Sequence, residues 1–133
     1  MIRGVVTSHY EATIQLFVIG PKGQRELIEA IVDTGFDGWL SLPYSLVNEL
    51  ELPWQGLGQA LLADGSECDY DIHDGTVVWD CEERDISIDT SDSDPLVGMR
   101  LLEGFVLELP VRKGSPFTIC PIPDSTTTGI ASL

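Results

Sequence analysis

The sequence predicts an all-β fold with one or two short helices. Apolar and polar residues alternate through most of the chain, as at Ile14, Leu16 and Val18, and this period of two is typical of strands with one buried face. Turn-forming pairs such as Asp64-Gly65 separate the alternating runs, as they do in β-hairpins. The 133 residues contain no internal repeat and no linker-like stretch. We therefore expect a single domain over residues 1–133, with its core at about residues 10–110.

The strands are predicted from alternating or apolar runs that are bounded by turns. They cover residues 12–19, 26–32, 39–42, 59–62, 67–79, 85–89 and 105–109. Asp74-Gly75 falls inside the longest of these runs, where a glycine indicates a bulge. The last residues are small and polar, so we expect a frayed tail over residues 125–133.

Two helices are predicted, and both are short. Residues 43–50 begin with proline, which suits the first turn of a helix. Leu46, Val47 and Leu50 then share one face at spacings of three and four, as in an amphipathic helix. A second helix, of about one turn, is expected at residues 99–102.

The charge of the chain excludes two classes of partner. There are 22 acidic and 7 basic residues, giving a net charge of −15. Phosphate backbones and anionic lipid surfaces would be repelled, so we expect no nucleic-acid partner and no membrane partner. No apolar run reaches the roughly 18 residues of a transmembrane helix. The N-terminus also lacks the apolar core of a signal peptide, which predicts a cytoplasmic protein.

No metal ion or cofactor is expected. Cys68, Cys81 and Cys120 are odd in number and lack Cys-x-x-Cys spacing, which favours free thiols over a disulfide framework or a zinc site. The acidic segment at residues 89–94 lacks the glycine and the distal glutamate of a calcium-binding loop. A solvated acidic turn is therefore preferred there.

The candidate catalytic residues lie at the end of the predicted strand 26–32. Ile31 and Val32 run directly into Asp33-Thr34-Gly35. An ionisable side chain at the end of a buried strand is costly unless it has a partner or a chemical role. The alternative is an ordinary Asp-x-Gly turn. Asp-Thr-Gly after two apolar residues resembles the active-site triplet of aspartic proteases, and the order of the surrounding elements favours this interpretation over the turn.

That order resembles the retropepsin-like (clan AA) aspartic proteases, the retroviral-type enzymes and their single-domain cellular relatives. The resemblance spans roughly residues 10–110. It is carried by the triplet, by an acidic residue two places after it, by a glycine-containing hairpin and by an apolar-apolar-glycine segment before a short helix. These are Asp33-Thr34-Gly35, Asp37, Ala63-Asp64-Gly65-Ser66 and Leu96-Val97-Gly98. The helix at residues 43–50 makes the chain similar to the bacterial members.

The resemblance implies a closed, barrel-like β-domain that acts as a symmetric homodimer on peptide or protein substrates without a cofactor. Asp33 from each subunit would activate the hydrolytic water. The Thr34 hydroxyl would bond to the partner subunit's backbone, and the Gly35 N–H would bond a carboxylate. The substrate-binding and flap residues implied are Phe36, Asp37, Ala63, Asp64, Gly65 and Ser66. Leu96, Val97 and Gly98 would support the site.

Two residues depart from the retroviral pattern. Retroviral members place an arginine directly after the glycine of the later segment, where it pairs with the acidic residue that follows the triplet. Here Met99 holds that position and Arg100 is the nearest cation, so the partner of Asp37 is left open. Phe36 is bulkier than the small residue usual after the triplet and is expected to narrow the substrate channel or to favour small side chains nearby.

Other functions and interfaces stay open at this level. A catalytically inactive dimerisation or peptide-binding module of the same fold would bind peptides without hydrolysing them. A metal-dependent hydrolase would need a cluster of ligands that the sequence does not display. Retroviral members dimerise through interleaved terminal strands. Residues 3–6 and 117–122 are candidates for such strands, although Pro121 and Pro123 limit the ladder of hydrogen bonds. The alternative is a dimer interface formed by the triplet region and hydrophobic surface.

Overall fold

The fold is described from a computed structural model over residues 1–123; the tail predicted at residues 125–133 lies outside the described residues. This part of the chain forms ten strands and two helices. The strands are β1 (Ile2–Val6), β2 (Ala12–Ile19), β3 (Arg25–Val32), β4 (Leu40–Pro43), β5 (Trp54–Leu61), β6 (Glu67–Trp79), β7 (Glu82–Ser91), β8 (Leu96–Val97), β9 (Phe105–Glu108) and β10 (Pro116–Pro121). The helices are α1 (Tyr44–Glu49) and α2 (Met99–Leu102). The predicted all-β fold with short helices is confirmed.

The alternating sequence of β2 places one side of the strand in the core. Ile14, Leu16 and Val18 are buried, whereas Gln15 and Phe17 between them are exposed. Strand β3 pairs with β2 in antiparallel register from Thr13 opposite Ile31 to Ile19 opposite Arg25. This long pairing fixes where β3 ends, and it thereby fixes the position of Asp33, which follows the last residue of the strand.

The sheet closes on itself. Its strand order is β5-β6-β7-β4-β8-β3-β2-β1-β10-β9, with an additional pairing between β6 and β2. That pairing sets Val18 opposite Val77 and Ile19 opposite Thr76. Six strands (β2, β3, β8, β4, β7 and β6) thus form a ring around the core, and the barrel-like closure expected from the resemblance is present. Among residues 1–123, no helix is long and apolar enough to span a membrane.

The core is one continuous cluster of buried apolar side chains. Val18, Leu40, Ile88 and Val97 come from different strands of the ring and are fully buried. Trp79 is also buried, and its ring meets the ring of Phe105 edge to face at a centroid distance of 5.8 Å. Burying such side chains is the main stabilising contribution, and it ties the ring of strands to α2 and β9.

Three predicted features need correction. Helix α1 starts at Tyr44 because Pro43 takes the N-cap position with an extended backbone. Strand β5 starts at Trp54, five residues before the predicted start. The bulge predicted at Asp74-Gly75 is wrong, since β6 pairs regularly with β7 there. The irregularity lies instead in β5, between Trp54 and Gly56.

The terminal strands pair with each other within one chain. Strand β1 pairs with β10 from Ile2 opposite Ile119 to Val5 opposite Pro116, and β10 pairs with β9 on its other side. Segments 3–6 and 117–122, the candidates for strand exchange between subunits, therefore form their ladder inside the subunit.

Candidate active site

The Asp33-Thr34-Gly35 triplet forms a tight loop at the end of β3. The Asp33 N–H donates to the Val97 carbonyl at 2.9 Å, and the Phe36 N–H donates back to the Asp33 carbonyl at 3.1 Å. The carboxylate is held within the same loop, because its Oδ1 accepts a hydrogen bond from the Gly35 N–H at 2.9 Å. Asp33 is half-buried, whereas Thr34 and Gly35 are exposed. The loop therefore presents an oriented carboxylate and a threonine side chain at the surface.

Strand β8 supports this loop from between two other strands. It runs parallel to β3, with Val32 opposite Val97, and antiparallel to β4, with Leu40 opposite Val97. The three predicted support residues Leu96, Val97 and Gly98 are thus placed directly behind the triplet. Because β3 precedes the triplet and β4 follows it, β8 holds these two strands at a fixed separation.

Gly98 lies where the backbones come closest. Its N–H donates to the Trp39 carbonyl at 3.0 Å. A Cβ atom added at Gly98 would lie 2.1 Å from the Gly38 carbonyl oxygen, which is far inside van der Waals contact. Only a residue without a side chain fits here, so the glycine of the apolar-apolar-glycine segment has a steric cause.

Phe36 follows the triplet and turns towards the same glycine. A Cβ atom at Gly98 would meet the Phe36 ring at 2.7 Å, and the Met99 N–H donates to the Phe36 carbonyl at 2.8 Å. The ring also lines the adjoining cleft. That Phe36 narrows the space for substrate stays a prediction.

Asp37 and Asp89 form an acidic pair beside Arg100. Burial raises the pKa of Asp89, the Asp37 carboxylate raises it further, and Arg100 opposes both effects. The Arg100 Nε donates to the backbone carbonyl of Asp37 at 3.1 Å. Arg100 forms no ion pair within 4.0 Å among residues 1–123, so it holds the Asp37 loop through the backbone. Burial and the two aspartates also raise the pKa of Tyr70.

The predicted flap residues form the turn of a long hairpin made by β5 and β6. The Gly65 N–H donates to the Leu62 carbonyl at 2.9 Å, and Gly65 has φ of +85°, a conformation that glycine adopts readily. Asp64 accepts hydrogen bonds from the Ser66 N–H and hydroxyl. These bonds hold the pKa of the exposed Asp64 carboxyl below its usual value, and they order the tip of the hairpin.

A cleft of about 620 Å³ separates this hairpin from the residues after the triplet. Phe36 and Asp37 line one side of it. The hairpin contributes residues 59–62 and 68–70, which are the strand ends below the tip. The predicted residues Ala63, Asp64, Gly65 and Ser66 do not line the cleft. The triplet is connected to the cleft by Phe36, the next residue in the chain.

Sequence reasoning missed several lining residues. Tyr44 starts α1, and Asp89 enters the cleft because β7 pairs with β4, where Ser41 lies opposite Asp89. Neither carries a local motif, since strands distant in the chain bring them together. The sequence predicted a solvated acidic turn over residues 89–94, which is wrong for Asp89, because this residue is half-buried on β7.

The structure contains a second cavity, away from the predicted site residues. This cavity, of about 500 Å³, lies at the base of the hairpin and is lined by Trp39, Gln55 and Asp74 among others.

Within residues 1–123, no three His, Cys, Asp or Glu side chains are grouped so that they could hold a metal ion. The metal-dependent alternative gains no support from this part of the chain.

Comparisons with known proteins place the fold. No family model matches the chain, and no curated protein matches it significantly. Among solved structures, the chain is similar to a retropepsin-like aspartic protease from Rickettsia conorii, with 19% identity and a TM-score of 0.59 over 92% of this chain and 91% of that one. It is also similar to the EIAV protease complexed with the inhibitor HBY-793, with 14% identity and a TM-score of 0.52 over 70% of this chain and 86% of that one. The chain therefore has a retropepsin-like fold, as the sequence resemblance implied.

Proposed function

We propose that the protein is an aspartic endopeptidase whose active site forms between two copies of the chain, each contributing Asp33. The observation that carries this proposal is the placement of Asp33. Its carboxylate is held by the Gly35 N–H on a loop anchored to Val97. Phe36, the residue after the triplet, lines a cleft that the β5–β6 hairpin also lines. The retropepsin-like fold makes a peptide hydrolase the function that suits this geometry.

The reaction needs two carboxyl groups, one ionised and one protonated. Two such groups at short distance share one proton, because placing two negative charges so close together is costly. They titrate as a pair. The ionised Asp33 takes a proton from a water molecule, whose oxygen attacks the scissile carbonyl carbon. The protonated Asp33 of the other copy donates to the developing oxyanion. When the C–N bond breaks, a proton passes to the leaving amine, and the pair is restored.

The substrate proposed is an extended peptide or protein segment. It would lie in the cleft between Phe36 and the β5–β6 hairpin, where exposed backbone groups of the hairpin can bond its main chain. Closure of the hairpin would exclude water from the reacting groups. Thr34 is exposed on the same loop as Asp33, which suits the proposed bond between its hydroxyl and the second copy.

The direct test replaces Asp33 with asparagine. We expect Asp33→Asn to lower the rate of peptide cleavage by about 10²- to 10⁴-fold, the usual contribution of a general acid or base. The rate is measured at about pH 4–6, with and without pepstatin. Glu29→Gln is the matched control, since it removes an exposed carboxylate from the same strand and should leave the rate unchanged.

Two results would contradict this chemistry. Cleavage that survives Asp33→Asn would exclude the mechanism. A wild-type protein that binds peptides but hydrolyses none at any pH would instead be the inactive peptide-binding module.

Mixing subunits tests whether the site is shared. If both copies must supply Asp33 and subunits exchange at random, an equal mixture of wild type and Asp33→Asn retains about a quarter of the wild-type activity at the same total concentration. A site built within one chain would retain about half. Sedimentation across protein concentration should show specific activity following the dimer fraction.

A further inference from the structure

The hairpin of β5 and β6 is fastened at its base by one carboxylate. Asp71 Oδ1 accepts a hydrogen bond from the Trp54 indole Nε1 at 3.1 Å, and Asp71 Oδ2 accepts one from the Tyr44 hydroxyl at 3.2 Å. Trp54 belongs to the neighbouring strand of the hairpin, whereas Tyr44 is the first residue of α1. The two oxygens of one side chain therefore join the hairpin to a helix outside it.

Asp71 also marks the point where the hairpin leaves the barrel. The pairing of β6 with β7 begins at Ile72 opposite Asp89, and Asp71 pairs only with Leu57 of β5. From there to the tip, the hairpin has no ladder to the rest of the described chain, and Leu61 near its end is 75% exposed. A segment with so few buried contacts opens at low cost in free energy.

The backbone at this point is fixed as well. The Thr90 hydroxyl donates to the Asp71 carbonyl at 2.9 Å, and Thr90 is buried. The backbone of residue 71 is therefore anchored to β7, while its carboxylate reaches α1 and β5. Because the same carboxylate also accepts a bond from Trp54 of β5, a movement of the hairpin that shifts this side chain away from α1 must stretch or break the bond to Tyr44.

We propose that Asp71 is a positioning residue that holds the hairpin to α1 and so sets how far the cleft opens for a peptide. Tyr44 and hairpin residues 59–62 and 68–70 line that cleft, whereas Asp71 lies next to the lining residue Tyr70. The bond between Tyr44 and Asp71 therefore limits how far the two linings can separate. The two hydrogen bonds to the Asp71 carboxylate resist movement of the hairpin away from α1. The effect on catalysis rests on the proposed peptidase function, whereas the effect on the hairpin does not.

Tyr44→Phe is the most selective test, because it removes one hydroxyl and keeps the ring. In amide hydrogen exchange, the amides of residues 57–70 should exchange roughly 2- to 10-fold faster than in the wild type, as expected for the loss of one hydrogen bond. Asp71→Ala should exceed this effect. Asp71→Asn should accelerate exchange less than Asp71→Ala does. Its amide oxygen can still accept one hydrogen bond, and its NH₂ group can donate to the Tyr44 hydroxyl.

Asp74→Asn is the matched control. Asp74 also lies on β6 and accepts a bond from the other hairpin strand, from Gln55 Nε2 at 2.7 Å, but neither residue connects to α1. This variant should leave exchange at residues 57–70 unchanged. In the cleavage assay, Tyr44→Phe should raise KM about 2- to 10-fold with little change in kcat, and Asp74→Asn should change neither.

The two proposals fail in different ways. Unchanged exchange at residues 57–70 in Tyr44→Phe and Asp71→Ala would overturn the role of Asp71, whatever the protein's activity. Faster exchange together with the absence of peptide cleavage would support the fastening and count against the peptidase. Equal acceleration in Asp74→Asn would show a general loosening of β6 and would also overturn the proposal.

Discussion

Asp89 shows how the environment of a single residue changes its chemistry. It is half-buried in the wall of the cleft, and burial is the first cause of its raised pKa, followed by the Asp37 charge. A carboxyl whose pKa is higher in the folded state binds its proton more tightly there than in the unfolded chain. Its ionisation therefore opposes folding as the pH rises from the unfolded pKa through the folded one.

We expect Asp89→Asn to raise Tm at pH 7 by a few degrees relative to wild type, because it removes that opposing charge. The gain in Tm should shrink on acidification and vanish below the ordinary pKa of an aspartate carboxyl, where Asp89 is protonated in both states. Thermal unfolding at pH 7 and at the acidic pH gives the change in Tm, and Asp92→Asn serves as an exposed control. A stabilisation equally large at low pH would point to packing as the cause.

Strand β8 is the element that positions the candidate site. With only two residues, it carries little stability of its own, yet it bonds β3 on one side and β4 on the other. Because the triplet and the Phe36–Gly38 segment connect those strands, the fit of β8 and Gly98 determines the shape of the whole loop. The close approach of Gly98 to Gly38 makes this element sensitive to one added carbon atom.

Gly98→Ala should destabilise the protein by about 1–3 kcal/mol, the usual range for overpacking, because its Cβ would overlap the Gly38 carbonyl oxygen. Gly56→Ala is the matched control, since a Cβ there meets nothing within 4 Å. Urea denaturation of both variants gives the comparison. Equal stability of the two variants would contradict a tight contact at Gly98.

At the scale of the molecule, the net charge of −15 surrounds the cleft with negative potential. The cleft adds to it, since Asp37, Asp69, Asp89 and Asp92 line it and no lysine or arginine among residues 1–123 does. A field of one sign attracts ligands of the opposite charge and repels those of the same charge.

We therefore expect a peptide flanked by lysines to be cleaved with a kcat/KM about tenfold or more above that of the same peptide flanked by glutamates at low ionic strength. Salt screens such interactions, so the ratio should fall towards one as sodium chloride is raised to about 0.5 M. Peptides of equal length and identical central sequence make the comparison. A ratio that does not respond to salt would point to specific side-chain contacts in place of the general field.

Features carried by local patterns were predictable from the chain alone. The hairpin at Asp64-Gly65, the α2 helix and the loop at Asp33 lie where the residues indicated, because turn chemistry and apolar spacing act over a few neighbours. Asp71 and Asp89 were not found in this way. Their importance comes from the approach of α1 to the hairpin and of β7 to β4, and no short pattern records these contacts.

The sequence by itself determined the all-β class, the order of the elements and the single Asp33 per chain, since alternation, turns and a triplet are properties of adjacent residues. The tertiary structure alone decided that β1 pairs with β10 inside one subunit and that Arg100 holds the Asp37 backbone. It also decided that Asp71 fastens the hairpin to α1. The physical reason is that each of these contacts joins segments far apart along the chain. Such segments meet only when the strands pair and the core is buried.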